Sequence, residues 1–191
     1  VKPGTFRVFE SIDNKYIETT NQPFYYFPLI NLTNKENELE TISHQINHYL
    51  TNAVKKRVID TTDRPIACLL SGGLDSSLIA ALVNKFYKSH EPLQTFSIGL
   101  PGSEDLKYAR MVAKHLGTKH NEIILTEDQF FDAIPEVIKT IESYDTTTIR
   151  ASVGNYLVGK YIKENTNCKV IFNGDGADEL MGGYLYFKKA P

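Results

Sequence analysis

Cys68-Leu69-Leu70-Ser71-Gly72-Gly73-Leu74-Asp75-Ser76-Ser77 is an apolar run that ends in Ser-Gly-Gly and passes at once into an amphipathic segment. The pattern predicts a strand, a tight glycine turn and a helix N-terminus within ten residues. Gly72 and Gly73 let backbone N–H groups approach an anion with no Cβ in the way. The helix behind them presents unpaired N–H groups and the positive end of its dipole. Ser71 and Ser76 add hydroxyl donors. The spacing is not that of the Walker A loop, GxxxxGK[ST], and the loop holds no lysine. Asp75 instead sets a carboxylate beside the anion, which makes sense if a divalent cation bridges carboxylate and phosphate oxygens. The expected ion is Mg2+.

A second loop, Asn173-Gly174-Asp175-Gly176-Ala177-Asp178-Glu179, follows another apolar run about a hundred residues later. Asp178, with Asp175 as a further candidate, would supply the other side of the metal cage. Each loop has a plainer reading: a tight turn with Asp or Ser capping a helix, or for the second loop a calcium site. An EF-hand fails there, because no bidentate Glu follows at its twelfth position.

Between the loops the pattern alternates. Residues 66–70, 93–98, 122–125 and 169–172 read as strands. Residues 76–87, 104–116, 127–142 and 149–164 read as helices, with Gly117 closing the second, Thr126 capping the third and a polar break at 143–148. A helical pattern also covers about 35–58. It ends in Lys55-Lys56-Arg57, cations suited to a helix C-terminus. Strands alternating with helices imply an α/β fold, a parallel sheet with helices on both faces. In such sheets ligands sit at the carboxyl ends of the strands, where both glycine loops fall. Residues 1–34 are Pro- and aromatic-rich; Thr5–Phe9 alternates weakly like a strand, and the stretch 24–30 is apolar but irregular. They read as a linker or the tail of a preceding domain, leaving 35–191 as the main domain. The chain stops soon after the second loop, so it is expected to be incomplete at its C-terminus with the sheet edge partly uncovered.

The composition sets limits. At 191 residues, 41% hydrophobic and 23% charged, the chain can bury a core. A net charge of −2 argues against a nucleic-acid or membrane surface, and the apolar runs are too short to span a bilayer. The start Val1-Lys2-Pro3-Gly4 has neither a signal peptide nor an initiator Met, as in a fragment or processed chain. Cys68 and Cys168 lie in or beside strand-like runs with no CxxC or metal partner, so they read as packed thiols of a cytoplasmic protein. The pair His44/His48 sits one helical turn apart without a third ligand and reads as surface.

Ser71-Gly72-Gly73-Leu74-Asp75-Ser76-Ser77 resembles the pyrophosphate loop of the ATP pyrophosphatase superfamily. Within it, three further stretches resemble the glutamine-hydrolysing asparagine synthetase family. They are Gly99-Leu100-Pro101-Gly102-Ser103-Glu104-Asp105-Leu106, Tyr144-Asp145-Thr146-Thr147-Thr148-Ile149-Arg150-Ala151-Ser152 and Gly182-Gly183-Tyr184-Leu185-Tyr186-Phe187-Lys188-Lys189-Ala190-Pro191. The resemblance implies an adenine nucleotide alpha hydrolase-like fold, with residues 1–34 following an absent glutaminase domain. It implies ATP as the nucleotide: adenine against Leu70 and Ile98, the triphosphate on Ser71, Gly72, Gly73, Asp75 and Ser76, and further contacts from Asn173 and Gly174. It implies that aspartate attacks the α-phosphate to give β-aspartyl-AMP and pyrophosphate, and that ammonia, normally from glutamine, displaces AMP. Arg150 matches a motif arginine whose fork suits a carboxylate or phosphate. Asp175 stands where the family has a catalytic glutamate, and Ala177 where it has serine. A homodimer is compatible with this reading; nucleic acid and membrane are not expected partners. Two other readings stand beside it: a β-lactam-synthetase-like acyl-adenylating enzyme, and a nucleotide-binding paralogue without turnover.

Overall fold

A computed structural model describes residues 1–25, 36–61 and 63–189. Residues 26–30 of the aromatic stretch and the motif's final Ala190-Pro191 lie outside the described residues. The chain divides into two units, Val1–Ser43 and His44–Pro191.

In the first unit, β1 (Thr5–Ile12) pairs antiparallel with β2 (Lys15–Pro23), with an irregularity in register between Val8 and Phe9. Asp13 and Asn14 form the turn at positive φ, as small polar residues do in two-residue hairpins. This hairpin extends well past the weak alternation of residues 5–9, and it lies where the sequence reads as a linker or tail.

Helix α1 (Glu36–Asp60) leads into the second unit. It runs two residues past the expected end, so Arg57 alone of the basic run falls in its last turn. There follow β3 (Ile66–Leu69), α2 (Leu74–Phe86), β4 (Gln94–Gly99), α3 (Glu104–Leu116), β5 (Lys119–Ile124), α4 (Glu127–Asp132), α5 (Ile134–Ile141), α6 (Thr146–Asn165), β6 (Val170–Phe172) and α7 (Ala177–Met181). A 3-10 helix spans Leu185–Lys189. The four strands β5-β4-β3-β6 form one sheet in that order, all parallel. The expected α/β class and parallel sheet hold.

The two faces are set by alternation along β3. Ile66, Cys68 and the following Leu70 join Val54 and Val58 of α1, Ala80 and Val83 of α2, and Ala109 and Ala113 of α3. Ala67 and Leu69 point the other way, toward Val158 and Ile162 of α6. Helices therefore cover both faces. Both cysteines are free and buried; burial pushes the Cys68 thiol up to about 12, so it packs as an unreactive hydrophobe. From β3 the chain winds outward through β4 to β5, then crosses by α6 to β6 on the other side of β3. The carboxyl ends of β3 and β6 are thus the point where the winding reverses, the position at which open α/β sheets bind ligands.

Two helix expectations change. Residues 127–142 form two helices broken at Ala133. Pro135 has no N–H to give the Phe131 carbonyl, and its ring crowds that turn. Thr126 does cap the first of them, in a capping box with Gln129. Residues 146–148, expected as part of a polar break, form the first turn of α6. Asp145 accepts from the Thr148 amide at 2.7 Å and its hydroxyl at 2.8 Å, which nucleates the helix and holds the carboxyl below its ordinary range.

Between β4, β5 and α3 lies a polar network. The Thr95 hydroxyl is 2.9 Å from His120 Nδ1 and the Ser97 hydroxyl 3.2 Å from Nε2. Arg110 of α3 grips Glu122 through two bonds of 2.8 and 2.7 Å. Burial, the largest effect, lowers the His120 pKa; Glu122 opposes this and Arg110 adds to it. A histidine depressed in the native state is protonated first in the unfolded chain. Its contribution is complete above the unfolded value of about 6.5 and is lost as pH falls through the folded pKa. The urea midpoint is expected to drop between about pH 7.5 and pH 5, with a smaller drop in His120→Gln.

Candidate active site

The loop after β3 is locked before any ligand arrives. The Ser71 amide donates to Ser76 Oγ at 3.2 Å, the two serine hydroxyls lie 3.0 Å apart, and the Gly73 amide donates to Ser71 Oγ at 3.3 Å. The serines expected as donors to an anion therefore first brace their own turn. Helix α2 starts at Leu74, two residues before its expected start, with Gly73 as an N-cap that makes no side-chain bond. The Leu74, Asp75 and Ser76 amides precede the first α-helical bond, from Ser77 to the Gly73 carbonyl at 3.1 Å.

Gly72 and Gly73 separate in role. Gly72 adopts φ +84°, and a Cβ there would stand 2.6 Å from the Tyr108 carbonyl carbon. This glycine lets α3 pack on the loop. Gly73 is the one whose backbone borders the cleft.

The loop after β6 rests directly on this first helical turn. A Cβ at Gly174 would meet the Ser76 amide nitrogen at 2.7 Å and the Asp75 carbonyl carbon at 2.9 Å. The two loops, a hundred residues apart in sequence, line one cavity of about 460 Å³. Of the expected residues it gathers Ser71, Gly73, Asp75, Ser76, Asn173, Gly174, Asp175 and Asp178. Asn173 Nδ2 donates to Asp175 Oδ2 at 2.8 Å, which aims that carboxylate. Leu70 and Ile98 line a narrower neighbouring cavity of about 120 Å³ with Phe96, Leu106 and Val158. Gly72 and Arg150 line neither; Arg150 is exposed at the start of α6.

Ala151, Asn155, Glu179 and Tyr184 also line the larger cavity, beyond the site residues expected from sequence. The Tyr184 hydroxyl donates to Glu179 Oε1 at 2.6 Å. That bond raises the phenol to about 12 and lowers the Glu179 carboxyl. Tyr184 also stacks on Tyr186 at 5.2 Å between ring centres, which braces this part of the site wall. Helical phase was the available signal for the α6 residues: Ala151 and Asn155 continue upward the face that carries Val158 and Ile162.

Among the described residues, four carboxylates, Asp75, Asp175, Asp178 and Glu179, line the cavity, and no lysine or arginine does. Among the described residues no three His, Cys, Asp or Glu side chains converge to hold a metal by themselves. His44 and His48 are exposed on α1. The donor set fits a hard cation held by one or two carboxylates and completed by phosphate oxygens, the usual manner of Mg2+.

Residues 45–191 match the protein family described as Asparagine synthase. The chain belongs to the asparagine synthase family. Human asparagine synthetase (glutamine-hydrolyzing) is 52% identical over 157 residues, 81% of this chain and 28% of that protein. The mouse enzyme of the same name is 46% identical over 202 residues, 99% of this chain and 36% of its own length. The chain therefore spans about a third of the relatives it matches. Among solved structures, a glutamine-dependent NAD+ synthetase from Acinetobacter baumannii in complex with ADP superposes with a TM-score of 0.54. It is 16% identical, over 86% of this chain and 30% of that one. An NH3-dependent NAD synthetase from Campylobacter jejuni in complex with nitrate gives 0.50 at 18% identity, over 74% and 60%. At such identity they show the fold alone, that of the pyrophosphate-loop proteins. No helix among the described residues is long and apolar enough to cross a membrane.

Proposed function

We propose that this domain binds ATP across the two glycine loops and activates the side-chain carboxylate of aspartate for amide formation. The observation that carries the reading is the contact of Gly174 with the first turn of α2, which puts both loops on one cleft at the switch point of an asparagine synthase-family sheet. The amides of Leu74, Asp75 and Ser76 and the end of the α2 dipole face charge that builds on departing pyrophosphate. Leu70 and Ile98 flank a slot suited to adenine. Asp75 and Asp178 would hold Mg2+, which when bound neutralises phosphate charge that the acidic lining would otherwise repel.

The chemistry follows from the weakness of a carboxylate as an acyl donor. An aspartate oxygen attacks the α-phosphorus and pyrophosphate leaves, giving β-aspartyl-AMP. Ammonia then attacks the acyl carbon and AMP leaves with the carboxyl oxygen. Asp175 is the residue proposed to govern formation and use of the adenylate, and Arg150 to bind a carboxylate or phosphate from the rim. The ammonia would come from glutamine through a glutaminase domain joined by residues 1–34, in a cytoplasmic enzyme. The short fraction of each relative's length that this chain spans is compatible with such a further domain.

Calorimetric titration with ATP and Mg2+, followed by assay of aspartate-dependent AMP and pyrophosphate, tests the reading. Both products are expected; absence of ATP binding overturns it. A second reading, nucleotide binding without turnover, draws on the exposed position of Arg150 and the short side chain of Asp175. ATP binding with no AMP formed would favour it. Pyrophosphate release driven by another carboxylic acid would point to the β-lactam-synthetase-like alternative.

A further inference from the structure

The two cavities of the cleft differ in character. One is polar and framed by the glycine loops; the other is a narrow, largely apolar slot at the ends of β3 and β4. Three residues line both: Leu69, Ser71 and Asn155. A ligand with its flat apolar end in the slot and its anionic end on the loops must pass its middle between these three. Leu69 has no polar side-chain atom, and the Ser71 hydroxyl is engaged with Ser76 and the Gly73 amide. The Asn155 carboxamide makes no hydrogen bond to any other described residue. It carries two donors and an acceptor at the junction.

It sits at the exposed upper end of a stripe that is buried lower down. Ala151, Asn155, Val158 and Ile162 follow one another at intervals of four, three and four, so they share one face of the helix. Val158 and Ile162 are buried against the sheet beside Phe96. Where that stripe rises past the strand ends, an amide replaces the hydrophobe. Asparagine is a poor helix former and gains nothing from packing there. Exposed to solvent at the junction of the two cavities, this amide is free to exchange water for a polar group of a ligand that passes there.

We propose that Asn155 is a specificity-determining residue that hydrogen-bonds the ribose hydroxyls of the bound nucleotide. The assignment rests on the ATP-binding reading above. A vicinal diol offers both a donor and an acceptor, matching what the carboxamide leaves open. The residue selects the sugar and leaves the phosphates to the loops.

The test compares equilibrium binding of ATP, 2′-deoxy-ATP, 3′-deoxy-ATP and inorganic tripolyphosphate to the wild-type chain, Asn155→Leu and Asn155→Ala, each with Mg2+. Loss of one or two such bonds is expected to weaken ATP about 10-fold in both variants. The wild-type preference for ATP over the deoxynucleotides is expected to vanish, with tripolyphosphate affinity unchanged. Asn155 is exposed, and unchanged thermal midpoints in the two variants would show that folding is intact. Retention of the wild-type ribose preference in both variants overturns the assignment alone. Equal loss of tripolyphosphate affinity also overturns it, by showing a general effect on the cleft. Failure of the wild-type chain to bind ATP overturns the nucleotide reading itself, and this assignment with it.

Discussion

Gly174→Ala is expected to lower ATP affinity by about 100-fold while the domain stays folded. The added Cβ would lie 2.7 Å from the Ser76 amide nitrogen, closer than packed atoms tolerate, so the two loops must part by roughly 0.5–1 Å. A displacement of that size in a preorganised site is worth on the order of 100-fold. Gly72→Ala is the informative contrast. Its Cβ would strike the Tyr108–Ala109 backbone from a left-handed conformation of φ +84°. Positive φ costs an alanine about 1 kcal/mol and overpacking a further 1–3 kcal/mol. That variant should lose global stability, read as a lower urea midpoint. Gly174→Ala meets backbone less closely and escapes the positive-φ cost, so it should lose less midpoint than Gly72→Ala while losing more binding. If both variants bind ATP like the wild type, the joint cleft is wrong.

The second large effect is expected at Asp175. Its carboxylate lines the cavity and is held by Asn173 at 2.8 Å. Asp175→Asn keeps the shape and removes the charge, and should lower aspartate-dependent pyrophosphate release by about 100-fold with ATP affinity little changed. Asp175→Glu extends the same carboxylate by one methylene, to the length expected from the family resemblance. A side chain about 1 Å short of its productive position can hold a reaction back on the order of 100-fold, so turnover should rise in this variant. A rise confined to Asp175→Glu and absent in Asp175→Gln would assign the effect to the carboxylate. Unchanged turnover in both Asp175→Asn and Asp175→Glu would remove this residue from the chemistry.

Much of this was legible in the chain. Ser71-Gly72-Gly73 directly after an apolar run has few readings, because backbone geometry, helix capping and anion affinity all act within ten residues. Gly117 at the end of α3 and Thr126 at the start of α4 are likewise decided by their neighbours. The helix boundaries that differ from the sequence pattern also have local causes, finer in scale. The apolar periodicity of residues 127–142 runs straight through Pro135, which splits the helix, and the polar run 143–148 hides Asp145, whose carboxylate starts α6. The His120 network has no signature in the sequence, because its members come from β4, β5 and α3, which meet only in the folded chain. Asn155 on α6 and Tyr184 beyond α7 likewise reach the cavity only once the elements have packed.

The sequence by itself determined the alternation of strands and helices from β3 to β6, the parallel α/β class, the two loops and the family, since each rests on short-range pattern and turn chemistry. Only the tertiary structure decided that β6 returns beside β3, so that Gly174 touches Ser76. It also decided that Gly72 serves the packing of α3 while Gly73 borders the cleft, and that Arg150 stands outside it. Strand order and the meeting of distant backbones depend on how helices bury both faces of the sheet at once. That balance is struck among all the elements together, and no segment carries it alone.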